Sequence, residues 1–216
     1  MKRKDLSDGI SPTSLRRFPK YRAIAEALGE QGWDYITSAD LARACDMQEI
    51  LVRKDLAQAG VKGRQHRGYP IKDVVPALTE VLGWDTPRKM MLVGAGRMAG
   101  VLSGFTQFAK CNLSIAFAVD NDPAKIGQSL NGIPIISMEE LAQRQQEDPV
   151  RLAILAVPVT VAQQVVDKLV AMGVRAIMNF THAAVTAERG VDIVDANIIS
   201  GMAELCHGLA LRELKA

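Results

Sequence analysis

Apolar and polar positions follow two different rhythms along the chain, and the change of rhythm divides it. Through the first third, apolar residues recur every three or four positions, the period of a helix with one buried face. Leu15, Phe18, Tyr21, Ile24, Ala25 and Leu28 make such a face on a helix opened by Ser11 and Pro12 and ending near Gly29–Gly32. Trp33–Ile36 is a short extended link. Two shorter helices follow across a tight turn at Asp46-Met47: one from Thr37 or Ser38 to Cys45, one over Gln48–Gly60. On the second, Ile50 or Leu51, Val52 and Leu56 are expected inward, and Arg53, Lys54 and Gln58 outward. Asp73–Leu82 is a further amphipathic helix, and Gly83–Arg88 a linker. From Lys89 the rhythm changes to short, wholly apolar runs. Met90–Val93, Leu113–Val119, Gly132–Ile136, Arg151–Pro158, Gly173–Phe180 and Gly190–Ala196 read as strands, with helices at Arg97–Ala109, Met138–Gln146 and Val161–Met172 between them. This alternation predicts a parallel sheet covered on both faces. The tail, Asn197–Leu214, presents Ile198, Ile199, Met202, Leu205, Leu209 and Leu211, more apolar surface than a terminal helix of a monomer needs. A partner subunit is its expected cover, which makes the chain a homodimer.

Composition adds a location for the charge. The chain has 216 residues, 48% hydrophobic and 23% charged, enough for one large or two small domains with a buried core. The net charge of +2 is unevenly spread: Lys and Arg outnumber Asp and Glu by 13 to 9 over Met1–Pro70 and are outnumbered 13 to 15 afterwards. Cys45, Cys111 and Cys206 are far apart, with no metal-ligand spacing, and read as reduced thiols with no metal. No signal-peptide core or long apolar run is seen, so no membrane association and a cytoplasmic protein are expected.

Two stretches carry chemistry. The helix pair at Thr37–Gly60 is a helix-turn-helix pattern, and Val61–Pro70, basic and bounded by glycines, reads as a hairpin or wing behind it. Over Arg53–Tyr69 there are five Lys or Arg against one Asp. Such a face suits double-stranded DNA, with Arg53, Lys54 and Gln58 at base edges and Lys62, Arg64, His66, Arg67 and Tyr69 at phosphates or the minor groove. The second stretch is Val93-Gly94-Ala95-Gly96-Arg97-Met98-Ala99-Gly100, a glycine turn between a strand and a helix. Asp120 follows twenty-four residues after Gly96, at the end of the next strand. Strand, turn, helix, strand and acid in this order predict a dinucleotide site. Gly94 permits the turn, Gly96 lets a pyrophosphate approach the backbone, and Ala99 or Gly100 lets the helix lie close to its strand. Asp120 accepts from ribose hydroxyls.

With both stretches read, the chain closely resembles the Rex family of bacterial redox-sensing repressors. The resemblance is carried by Val52–Leu56, Val93–Gly100, Val119–Gly127, Gly132–Pro134, Ala153–Pro158 and Asn179-Phe180, in order along almost the full chain. It implies an N-terminal winged helix-turn-helix (1–85), a Rossmann-like doubly wound parallel sheet binding NAD(H) (86–196) and a C-terminal helix swapped between subunits of a homodimer (197–216). It also implies repression at a palindromic operator and release by NADH. Gly94, Ala95, Gly96, Arg97, Met98 and Asp120 would hold the cofactor, with Val157, Pro158, Asn179 and Phe180 near the nicotinamide. Three departures stand out. The wing is more basic than in many relatives; Phe105 stands where many have Tyr in the first Rossmann helix; and Asn197 stands where many have Asp, both in the network that links cofactor to DNA.

Two other readings compete. An NAD-dependent oxidoreductase lacks an acid/base set here: His182 and His207 are isolated, so no catalytic residue is expected. A DNA-binding dimer with a weak or lost NADH response is the reading that Phe105 and Asn197 favour.

Overall fold

A computed structural model describes residues 10–196 and 198–214, which fall into two compact units, 1–87 and 88–216. Asn197 lies outside the described residues.

In the first unit, α1 (Pro12–Glu30) is capped by Ser11, whose hydroxyl accepts from the Ser14 N–H at 3.1 Å. Next come β1 (Tyr35–Ile36), α2 (Ser38–Cys45), α3 (Glu49–Gln58), β2 (Tyr69–Pro70) and α4 (Ile71–Val81). Thr37, not Ser38, caps α2, in a reciprocal box with Asp40. The extended link is therefore a strand: β1 pairs antiparallel with β2, Tyr35 opposite Pro70 and Ile36 opposite Tyr69. Phe18, Tyr21, Leu41, Val52, Leu56 and Leu78 form the core, each fully buried. α3 corrects the expected inward set. Val52 and Leu56 are buried, but so is Asp55, while Ile50 and Leu51 are exposed. At about 100° per residue, a face centred on Val52, Asp55 and Leu56 turns Ile50 away from the core.

In the second unit, β3 (Arg88–Val93), α5 (Arg97–Ser103), α6 (Gln107–Lys110), β4 (Leu113–Val119), β5 (Ser129–Leu130), β6 (Ile133–Ile136), α7 (Met138–Glu147), β7 (Leu152–Leu155), α8 (Ala162–Ala171), β8 (Ala176–Asn179), β9 (Asp192–Asp195) and α9 (Ile198–Glu213) follow in order. Among the described residues the sheet runs β5-β6-β4-β3-β7-β8-β9, with every pairing parallel except β5 on β6. Strand order reverses between β3 and β7, where open doubly wound sheets bind ligands. Alternate residues of β3 feed the two faces: Met91 and Val93 join the core under α7 and α8, Met90 and Leu92 the core under α5.

Two differences from the expected elements have physical causes. The predicted helix Arg97–Ala109 is broken at Gly104–Thr106 into α5 and α6. Gly104 is a weak helix former, and the last turn of α5 is tied sideways. Ser103 Oγ donates to the Gly100 carbonyl (2.8 Å), and Asn131 Nδ2 donates to the same carbonyl (3.0 Å) and to Ser103 Oγ (2.7 Å). The antiparallel edge strand β5 was not expected. It turns into β6 through Asn131-Gly132, at φ 50° and 82°. Two positive-φ residues of the type Asn-Gly are the strongest short hairpin signal, and it was present in the sequence.

Candidate functional site

The glycine turn begins at the end of β3. The Gly94 N–H donates to the Val119 carbonyl at 2.8 Å, and Gly94 has φ 96°. A Cβ there would lie 2.5 Å from the Ala156 carbonyl oxygen, so the turn is closed against the end of β7. Gly96 is different. Its φ is −94°, and a Cβ built on it meets nothing within 4 Å. The protein's own packing demands glycine at 94 and leaves 96 open, which is the space a ligand phosphate would take. Of the two small residues proposed for close packing, the buried one is Ala99. Gly96→Ala should therefore leave the thermal midpoint within a degree or two, its cost staying inside the roughly ±0.5 kcal/mol range of tolerated surface changes. It should also weaken binding of any pyrophosphate ligand at least tenfold, read by calorimetric titration with NADH; unchanged affinity would remove Gly96 from the site.

Asp120 closes the other side of the turn. Its carboxylate accepts from the Ala95 N–H (2.8 Å), the Asp122 N–H (2.9 Å) and Lys125 Nζ (3.1 Å). Burial pushes its pKa up, but these hydrogen bonds and the Lys125 charge outweigh burial and hold it below the usual carboxylate range. Asp120 is thus ionised at neutral pH, and it shapes the loop as well as facing the cavity.

A cavity of about 860 Å³ opens at the strand-order reversal, within the size range of small-molecule sites. Gly94, Gly96, Asp120, Val157 and Pro158 line it, as the sequence reading placed them. Ala95 is buried with its N–H on Asp120; Arg97 and Met98 are exposed at the start of α5. Asn179 is buried at the end of β8 and spends its side chain locally. It donates to the Ala183 carbonyl (2.9 Å) and Asp195 (2.7 Å), and accepts from Thr181 N–H (3.0 Å) and Oγ1 (2.7 Å). Phe180, half-buried, packs with the Met90, Leu92 and Ala99 core. Lys125, Met138, Thr160, Gln164 and Lys168, none of them among the expected site residues, also line the cavity wall. Their signal was positional: they follow β4, β6 and β7, the strands flanking the reversal.

In the first unit, Arg53, Lys54, Lys62, Arg64, His66 and Arg67 are exposed, Gln58 and Tyr69 half-buried. The wing closes by the Arg64 N–H donating to the Gly68 carbonyl (2.7 Å), with His66 at its tip at φ 60°. The Arg64 guanidinium lies 6.0 Å from the Tyr35 ring centroid, and the Tyr69 ring lies under Gly63. Arg53 donates to Glu49 Oε1 (2.5 Å) and, more weakly, to Ser38 Oγ (3.2 Å). The single acid of this stretch, Asp55, is buried beneath it. Arg17 grips its carboxylate with Nε and Nη2, each at 2.7 Å, and Tyr21 Oη donates at 2.9 Å. This ties α3 to α1 and leaves the outer face uniformly cationic from Arg53 to Arg67, a role the sequence reading did not assign to Asp55.

Phe105 sits in the break between α5 and α6, half exposed, edge-on to Phe108 with ring centroids 5.1 Å apart. Among the described residues of α9 none is buried; Ile199, Leu205 and Leu209 are each more than half exposed. No helix among the described residues is long and apolar enough to cross a membrane.

A basic winged helix-turn-helix joined to a Rossmann-like sheet with a glycine turn and a strand-end acid defines a class, transcriptional regulators with a nucleotide-type sensory domain. The family model for a putative DNA-binding protein N-terminus matches residues 9–57, and that for a CoA binding domain matches residues 85–183. The redox-sensing transcriptional repressor Rex of Treponema denticola is 34% identical over 192 residues, covering 89% of this chain and 91% of the relative. That of Streptomyces coelicolor is 32% identical over 194 residues, covering 89% and 75%. The chain belongs to the Rex family of redox-sensing transcriptional repressors. Its fold is that of the crystal structure of RSP, a Rex-family repressor, at a TM-score of 0.86 with 23% identity, covering 95% of this chain and 96% of that one. The structure of RSP in complex with beta-NAD+ and operator DNA agrees equally, at a TM-score of 0.86 and 24% identity, covering 95% and 94%.

Proposed function

We propose that the protein is a homodimeric repressor that holds palindromic operator DNA through α3 and the wing and releases it when NADH occupies the cavity at the β3–β7 reversal. The observation that carries the cofactor assignment is the pairing of the open backbone at Gly96 with the ionised carboxylate of Asp120 on one cavity wall. A carboxylate at that place suits the free hydroxyls of an adenosine ribose and repels a phosphorylated one. This favours NAD(H) over coenzyme A or a 2′-phosphorylated dinucleotide. The RSP structures with beta-NAD+ and with beta-NADH support the same ligand. In this reading Arg97 and Met98 hold the cofactor with the glycine turn and Asp120, and Val157, Pro158, Asn179 and Phe180 stand near the nicotinamide end. The bare apolar face of α9 supports its exchange between subunits, and a two-fold dimer fits a two-fold operator. The domain division is 1–85, 86–196 and 197–216. The protein works in the cytoplasm and catalyses nothing: the relatives are named repressors, and His182 is an exposed loop residue.

The test is operator affinity titrated with NADH at fixed NAD+. Affinity should fall at least fivefold at saturation, the lower end of ordinary allosteric coupling. A flat titration would sink the sensor and favour the second reading, a DNA-binding dimer that has lost its response. The aromatic ring of Phe105, edge-on to Phe108 and without a hydroxyl, is the observation that favours that reading.

A further inference from the structure

Among the described residues of the first unit, Ile50 is the most exposed large hydrophobic side chain, at 65%. Its place gives the exposure meaning, since single exposed aliphatics are ordinary. The buried residues of α3 are Val52, Asp55 and Leu56, with Ala59 just beyond. At about 100° per residue, Ile50 falls on the opposite pole of the helix, flanked by Lys54 on one side and Arg53 on the other. An apolar group therefore stands between two cations on the outer face, with Glu49 paired to Arg53 at its edge. The helix beneath it is fixed: Asp55 is gripped by Arg17 and Tyr21, and Glu49 accepts from Ser38 Oγ (2.7 Å) and Arg53. Ile50 also lies in the first turn of α3, and in a helix-turn-helix it is the N-terminal part of the second helix that meets base edges.

In the major groove, the one apolar group a base edge offers is the C5-methyl of thymine. We propose that Ile50 is a specificity-determining residue that packs on a thymine methyl in each half-site, between phosphates or base acceptors held by Arg53 and Lys54. The inference rests on the DNA-binding reading of α3 and adds a base class to it.

The full-length protein is first used to select preferred duplexes from a randomised library. Each thymine of the selected duplex is then replaced by deoxyuridine, which removes only the methyl. Wild-type protein should lose about fourfold in affinity per half-site at one symmetric thymine position, the worth of one buried methyl-sized group. Ile50→Ala should bind the parent duplex more weakly, be indifferent to deoxyuridine at that position, and keep the wild-type salt dependence, because no phosphate contact is lost. Ile50→Val, still branched, should retain the sensitivity. Because Ile50 is exposed, both variants should melt within a few degrees of wild type. If Ile50→Ala keeps the wild-type deoxyuridine sensitivity at every position, the inference is overturned while the DNA-binding reading stands. If wild type enriches no sequence at all, both fall.

Discussion

Arg17→Ala should strongly destabilise the N-terminal unit, although Arg17 lies far in sequence from the cationic residues of α3 and the wing. The Asp55 side chain is 3% exposed, and Arg17 supplies two of its hydrogen bonds. Removing the guanidinium leaves a buried carboxylate held by Tyr21 alone among side chains of α1 beyond Ser14. Breaking a buried pair from one side costs about 3–5 kcal/mol. A whole domain has about 5–15 kcal/mol to lose. Urea unfolding followed by Trp fluorescence would read the change, and a midpoint unchanged from wild type would show the pair to be decorative. The pH dependence has a definite sign. Burial raises the Asp55 pKa, but hydrogen bonds from Arg17, Ser14 and Tyr21 outweigh it, so the folded value lies below the ordinary one. The pair's contribution is therefore complete above the unfolded value of about 3.9 and is lost as pH falls through the lower folded value. The gap between wild type and Arg17→Ala should accordingly narrow below about pH 4.

Gly94→Ala should damage the second unit and its ligand binding together. An alanine at φ 96° is strained in itself, by about 1–3 kcal/mol. Its Cβ would also stand 2.5 Å from the Ala156 carbonyl, where backbone and not a yielding side chain is in the way. Relief requires β3 and β7 to part at the strand-order reversal, a further overpacking cost of about 1–3 kcal/mol. Thermal unfolding should shift down by several degrees, with NADH affinity reduced more than tenfold. The comparison with Gly96→Ala separates the causes: at 96 the affinity falls and the melting temperature holds, at 94 both fall. Equal melting temperatures for the two variants would mean that the closed turn at Gly94 adds no stability.

These two sites differ in how visible they were before the structure. The glycine turn, its strand and Asp120 are close in sequence and obey fixed spacings, so their arrangement could be read directly. The bond between Arg17 and Asp55 spans thirty-eight residues and two helices; a buried carboxylate looks like any other acid in a string of charges until its partner is in place. The direction of Ile50 is hidden in the sequence for a related reason. Several apolar residues in a row on a short helix leave its inward direction open, and only tertiary packing, with Asp55 taking an inward place, settles it. The break at Gly104 has one local sign, the glycine itself, but the tie to Asn131, twenty-eight residues from Ser103, has none. The β5–β6 hairpin was legible, because Asn131-Gly132 announces its turn.

The Ala95 N–H already has its partner in Asp120, so the phosphate and ribose end of the cavity is built before any ligand arrives. NAD+ and NADH are identical in the part of the molecule that end would hold. It would serve as a common handle that gives both forms affinity and tells them apart not at all. A ligand that binds two conformations equally moves neither. On the proposed reading, all discrimination falls to the one ring that differs, and the two forms compete for one seat. Occupancy then follows the ratio of the two concentrations more closely than either concentration alone. A protein built this way measures a poise and is insensitive to the size of the cofactor pool.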